Sequence, residues 1–305
     1  MMRRVIYVPG MKPKPPADAH LQQLCRCLAA GVARSRPEAA RLLSGDSSCL
    51  TLISWTYSFY GKHRDIKLDL PGIERILASP EPSATEIAEI ESLARKVRRW
   101  IHLLGDMLPL YGRLVARPEL RLTLTEARRY LCNRDGVATE IRNMLKTPLR
   151  EAWDAGDEVL LIGHSMGSVI AYDTLWELAH EDRDPRRVGL FLTLGSPLAS
   201  HFIRERLRGR KLHGHARYPT NIKRWENFAA RAEMTALRPR LTRYFGEMLA
   251  LGLLESFVDH TDIYNHFHGV DGMDVHMSYG YLLNNAVAGT IADWLLASEI
   301  KAPTA

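Results

Sequence analysis

Four short runs of the chain are apolar almost without interruption: RRVIYV (3–8), LTLISW (50–55), EVLLI (158–162) and VGLFLTL (188–194). A fifth, NIKRWENF (221–228), is more mixed. Strands with one wet face alternate, so continuous runs suit strands covered on both faces, as in a parallel sheet. Between them the helical period dominates. Leu21, Leu24, Cys25 and Leu28 recur at i, i+3, i+4 and i+7, which predicts an amphipathic helix over 17–33. SATE at 83–86 offers a capping box of Ser83 with Glu86, after which Ile87, Ile90, Ala94, Val97, Ile101 and Leu104 continue one apolar stripe. Another helix is predicted over about 136–155, kinked near Pro148 and stopped at Gly156.

Strands alternating with helices imply right-handed βαβ units, hence an α/β protein with a doubly wound, mostly parallel sheet. The region from about 62 to 150 is helical in pattern with strands on either side, and reads as an insertion into a single domain spanning 1–300. A second segment, about 235–270, carries Leu241, Tyr244, Phe245, Met248, Leu249 and Leu253 on one potential face. Such a stripe suits a core or a lid over a pocket.

Composition narrows the class. The 305 residues are 46% hydrophobic and 25% charged, close to soluble globular averages, which disfavours disordered, collagen-like and membrane-spanning chains. The N-terminal MMRRVIYVPG runs straight into a strand without the apolar core and cleavage site of an export signal. Cys25, Cys27, Cys49 and Cys132 form no paired knuckles, so reduced thiols and a cytoplasmic location are expected, with peripheral attachment to a membrane left open. The net charge of +6 is uneven: HFIRERLRGRKLHGHAR (201–217) holds five arginines and one lysine against one glutamate. That loop is either a solvated surface or a patch for an anionic surface or acidic carrier protein; nothing points to specific nucleic-acid binding or fixes an oligomeric state.

The chemistry centres on GHSMG at 163–167, within DEVLLIGHSMGSVIAYDTL. G-x-S-x-G alone is a weak signal, but here an apolar strand precedes it and a helical pattern follows directly. A serine hoisted to the tip of a strand-to-helix turn needs a strained backbone, and only minimal side chains fit two residues either side, as Gly163 and Gly167 are. The new helix turns free N–H groups toward the reacting centre, so Met166 N–H can receive a developing oxyanion.

With LLIGHSMGSVIAYD the chain resembles the α/β-hydrolase superfamily in its lipase and esterase branch. The resemblance covers the strands around the motif and the C-terminal helix. It implies an α/β-hydrolase fold with helical insertions forming a cap, and a serine hydrolase that cleaves a carboxylic ester or thioester of a small molecule or lipid, without metal or organic cofactor. It also implies the order serine, acid, histidine, with Ser165 as nucleophile. The base is then His276, in the loop before an amphipathic terminal helix, with His260, His266 and His268 as competitors. The acid falls after RWENF, where Glu233 is favoured over Glu226, Asp262 and Asp274. The second oxyanion donor belongs to the loop YVPGMKPKPP; relatives often carry His-Gly there, whereas this chain has Pro9-Gly10, leaving Met11 N–H. HTDIYNHFH (260–268) has neither HExxH spacing nor a cysteine pair, so no metal site is expected. Two other readings keep the fold: an acyltransferase using the same nucleophile, and a ligand-binding module without catalysis.

Overall fold

The structure is a computed structural model that describes residues 2–43, 50–92, 118–236 and 238–297. Six strands form one sheet in the order β2-β1-β3-β4-β5-β6, every neighbouring pair parallel. They are β1 Arg3–Val8, β2 Thr51–Leu52, β3 Glu158–His164, β4 Val188–Leu194, β5 Ile222–Ala230 and β6 Ser256–Ile263. The principal helices are α1 Ala17–Ser35, α2 Leu70–Ala78, α3 Ala84–Ile90, α4 Pro118–Leu131, α5 Val137–Asp154, α6 Met166–His180, α7 Ser278–Leu283 and α8 Asn285–Leu296.

Alternate residues of the central strands enter two separate cores, which is why their sequences read as continuous apolar runs. Val5, Tyr7, Leu160 and Ile162 pack with residues of α1, α7 and α8 on one face. Ile6, Val8, Val159 and Leu161 pack with residues of α5 and α6 on the other. Parallel strands all end at the same edge, so the turns that follow β1, β3, β4 and β5 gather there.

The capping box at Ser83 and Glu86 is formed, with Ser83 N–H donating to Glu86 Oε2 and Glu86 N–H to Ser83 Oγ. The described part of that helix ends at Ile90; Ala94, Val97, Ile101 and Leu104 lie outside the described residues. Helix α5 runs through Pro148. It is held to α6 by a buried charge cluster in which Glu177 accepts Arg142 at 2.9 Å and Lys146 at 3.2 Å. Among the described residues of 62–150 there is no strand.

The segment over about 235–270, read from the sequence as a core or a lid, contains β6, a parallel edge strand; its run SFVDHTDI has four polar residues in succession between Val258 and Ile263 and so lacks the continuous apolar signature of β1, β3 and β4. Of the stripe before it, Leu241, Phe245, Met248 and Leu253 are buried in the core beneath the sheet, while Leu249 is exposed. Cys25 is disulfide-bonded, whereas Cys27 and Cys132 are free thiols, so the expectation of reduced cysteines fails at that position. Two residues apart on a helix, Cys25 and Cys27 face different ways, and only Cys27 points fully into the core. Among the described residues no helix is long and apolar enough to cross a membrane.

Gly31 marks the closest approach of α1 to the C-terminal helices. A methyl group there would lie 2.7 Å from Leu282 O and 2.9 Å from Ala288 Cβ. Overpacking of this kind typically costs about 1–3 kcal/mol. Gly31→Val is expected to lower the urea midpoint correspondingly; an unchanged midpoint would show that the two layers are not in close contact.

Candidate active site

Ser165 sits between the last residue of β3 and the first of α6 with φ 53° and ψ −127°, a backbone conformation that L-residues other than glycine rarely adopt. The turn is built to hold it. Ser165 N–H donates to Leu194 O on β4 at 2.8 Å, and Ser168 Oγ donates to Ser165 O at 2.6 Å. A methyl group at Gly163 would come within 2.6 Å of Ser168 Cα, and one at Gly167 within 2.1 Å of Val8 O. Those contacts explain the small residues on both sides of the serine: strand, helix and the end of β1 touch here backbone to backbone.

The loop after β1 presses on the same turn. Trp55 Nε1 donates to Pro9 O at 2.9 Å and fixes the loop from the side. A methyl group at Gly10 would lie 2.7 Å from Ser165 Cβ and 3.2 Å from Ser165 Oγ. Met11 and Met166 are both buried. Lys12 N–H is taken by Tyr60 Oη at 3.0 Å, but Met11 N–H and Met166 N–H have no acceptor among the described residues. Two amides without an acceptor thus adjoin the serine turn, Met166 directly after Ser165 in the chain and Met11 directly after Gly10, which packs on Ser165. The helix that Met166 begins adds the positive end of its dipole.

The imidazole of His276, in the loop before α7, donates through Nδ1 to Glu233 Oε2 at 2.9 Å. Glu233 follows β5 and its side chain is 1% exposed. It is oriented from three directions. Tyr281 Oη donates to Oε2 at 3.2 Å and itself accepts Ala230 N–H at 2.9 Å, while Thr235 N–H donates to Oε1 at 2.9 Å. With Nδ1 so engaged, the ring presents Nε2 as its free, basic nitrogen. Burial disfavours the charged imidazolium, but the Glu233 carboxylate, by charge and hydrogen bond, and Asp274 outweigh it, so the His276 pKa lies above its ordinary value of 6.5.

The competing residues are engaged elsewhere. Asp274 Oδ1 accepts the backbone N–H of His276 at 2.9 Å, Glu226 pairs with His260 at 3.0 Å, and Asp262 is a surface partner of Arg231. His266 Nε2 meets Ser79 O at 2.9 Å, and His268 Nδ1 meets His266 O at the same distance.

Three supporting residues were not singled out from the sequence. His164, next to the serine, hydrogen-bonds His276 O through Nε2 at 2.7 Å, and its ring centroid lies 4.7 Å from that of His276. Burial and the neighbouring His276 hold its pKa well below the usual histidine range, so it stays neutral and clamps the His276 backbone. Gly195, at φ 54° after β4, leaves the space where a methyl group would sit 3.0 Å from His276 Nδ1 and 3.1 Å from Glu233 Oε2. Tyr281 couples Glu233 to the end of β5. A positive-φ glycine in LTLGSPL was the available signal for one of them; the roles of His164 and Tyr281 depend on contacts across more than forty positions of sequence.

Ser165 Oγ donates no hydrogen bond among the described residues. A hydroxyl, two free amides, and an imidazole locked to a buried carboxylate are therefore assembled at one sheet edge, an arrangement able to run nucleophilic acyl chemistry when the hydroxyl closes on His276 Nε2.

Backbone strain of this type costs about 1–3 kcal/mol. Ser165→Gly should therefore unfold at higher denaturant than the parent, and Ser165→Ala, which keeps the strain, should not. Equal stability of the glycine and alanine variants would contradict the strained turn. Compared with protein-family models, curated proteins and solved structures, the chain finds no match.

Proposed function

We propose that the protein is a serine hydrolase with an α/β-hydrolase fold, cleaving a carboxylic ester or thioester through an acyl-enzyme on Ser165. The observation that carries this reading is the His276–Glu233 pair beside a serine held at positive φ on the N-terminus of a helix. Ser165 Oγ attacks the carbonyl carbon while its proton passes to His276 Nε2. The imidazolium formed is stabilised by Glu233, which stays a carboxylate. Met11 and Met166 N–H hold the oxyanion. The proton then goes to the departing oxygen or sulfur, and a water, deprotonated by the same imidazole, releases the acid and restores Ser165.

No cofactor has a part in these steps. The disulfide at Cys25 removes the argument from reduced thiols for a cytoplasmic location. Activity against esters with water as acceptor separates hydrolysis from acyl transfer, and ligand recovered intact from the protein would favour a binding module.

A fluorophosphonate probe is expected to label the parent protein at Ser165 and to leave Ser165→Ala unlabelled. Glu233→Gln, which removes the charge and the tautomer lock, should lower kcat toward short-chain esters by about 10³- to 10⁴-fold with a smaller effect on KM. Labelling that survives in Ser165→Ala, or none in the parent, contradicts the proposal.

A further inference from the structure

Part of the cationic surplus of 201–217 is answered within the fold. Arg208 pairs with Glu177 and with Glu181, and Arg210 pairs with Glu205. Arg204 and Arg206 donate to the carbonyl oxygens of Ala199 and Phe202. A different set of arginines meets next to Glu233. A cleft of about 510 Å³ opens beside Glu233 at the ends of β5 and β6, and its lining includes Arg231, Arg238, Arg240 and Arg243.

The acidic groups of that cleft are already engaged. Arg231 holds Glu91 at 2.7 Å and Asp262 at 3.2 Å, and Glu233 is the partner of His276. Arg240 and Arg243 are exposed and form no ion pair among the described residues. The segment that carries them is nonetheless fixed. Asn227, buried on β5, donates through Nδ2 to Pro239 O at 2.7 Å and to Asp259 Oδ1 at 2.8 Å. Asp259, on β6, accepts Leu241 N–H at 2.9 Å and both the N–H and the hydroxyl of Thr242, at 3.0 and 2.5 Å. Two residues of the sheet therefore pin the backbone on either side of Arg240 and next to Arg243.

We infer that this cleft is a subsite for the anionic part of the substrate, a phosphate or similar oxyanion, so that the esters taken are those carrying such a group. Guanidinium groups without a carboxylate partner, on a backbone held rigid from below, suit a phosphate, which accepts paired N–H donors from each arginine fork. The volume is that of a site for a whole head group rather than a lone ion. The inference rests on the hydrolase reading, because Glu233 belongs both to the cleft and to the pair that holds His276.

The test compares two soluble esters with the same acyl chain, one of a neutral alcohol and one of an alcohol bearing a phosphate, on the parent and on the Arg240→Ala/Arg243→Ala protein. The parent should prefer the phosphate-bearing ester at least tenfold in kcat/KM, and the double variant should lose that preference. Inorganic phosphate should compete for the charged ester. A parallel assay with the charged ester carried in lipid vesicles distinguishes the sources: preference in both formats makes phosphate itself the determinant, and preference confined to vesicles makes it a lipid head group. A ratio that is the same in parent and variant overturns the inference.

Titration of Ser165→Ala with inorganic phosphate by calorimetry reads the cleft without catalysis. Binding that disappears when Arg240 and Arg243 are also replaced sustains the subsite even if no ester is turned over, whereas absence of binding overturns it whatever the activity.

Discussion

The site depends on one charged hydrogen bond, from His276 Nδ1 to Glu233 Oε2, made where water scarcely reaches the carboxylate. In water such a contact would contribute little, but with a buried acceptor both the attraction and the penalty for breaking it grow. It ties the loop after β5 to the loop before α7, over 43 positions of chain. Every nearby group serves it. Tyr281 and Thr235 satisfy the remaining capacity of the carboxylate, Gly195 makes room for the pair, Asp274 holds the His276 backbone N–H, and His164 holds its carbonyl oxygen. The imidazole is thereby left one orientation and one free nitrogen.

The second constraint is the parallel sheet. Because all its strands end at one edge, the serine after β3, the glycines after β1 and β4 and the glutamate after β5 arrive there without any long excursion of the chain. The strain at Ser165 is sustained because its surroundings leave no alternative: β4 takes its N–H, Ser168 takes its carbonyl, and Gly163 and Gly167 admit the neighbouring backbone. Rigid geometry of this kind is what the proposed acyl chemistry needs, since the oxyanion donors must be in place before charge develops.

Much of this was legible in the sequence where the signal is local. Apolar runs mark β1, β3 and β4 because both faces of those strands are covered, and the small residues around Ser165 mark the turn because backbone contacts exclude side chains. The edge strand β6 was not legible as one, since four consecutive polar residues, Asp259, His260, Thr261 and Asp262, run through it in a pattern that resembles a polar loop. The stripe from Leu241 to Leu253 fits core and lid equally well by period, and only its burial decides between them. Charge was the least legible property. The arginines of 201–217 stand out in the sequence, yet Arg208 and Arg210 are paired with Glu177, Glu181 and Glu205, while Arg240 and Arg243, unremarkable in sequence, are brought to a cleft beside Glu233 by Asn227 and Asp259.

The central claim is that Glu233 sets the tautomer and basicity of His276. It is tested most directly by NMR of labelled histidine, following the ring nitrogens of His276 through a pH titration in the parent and in Glu233→Gln. The account predicts that neutral His276 carries its proton on Nδ1 and titrates above 6.5 in the parent, because the carboxylate outweighs burial, and that its pKa falls in the variant, where burial acts unopposed by that charge. A parent His276 that titrates at or below 6.5, or one whose pKa and tautomer are the same in both proteins, would contradict it.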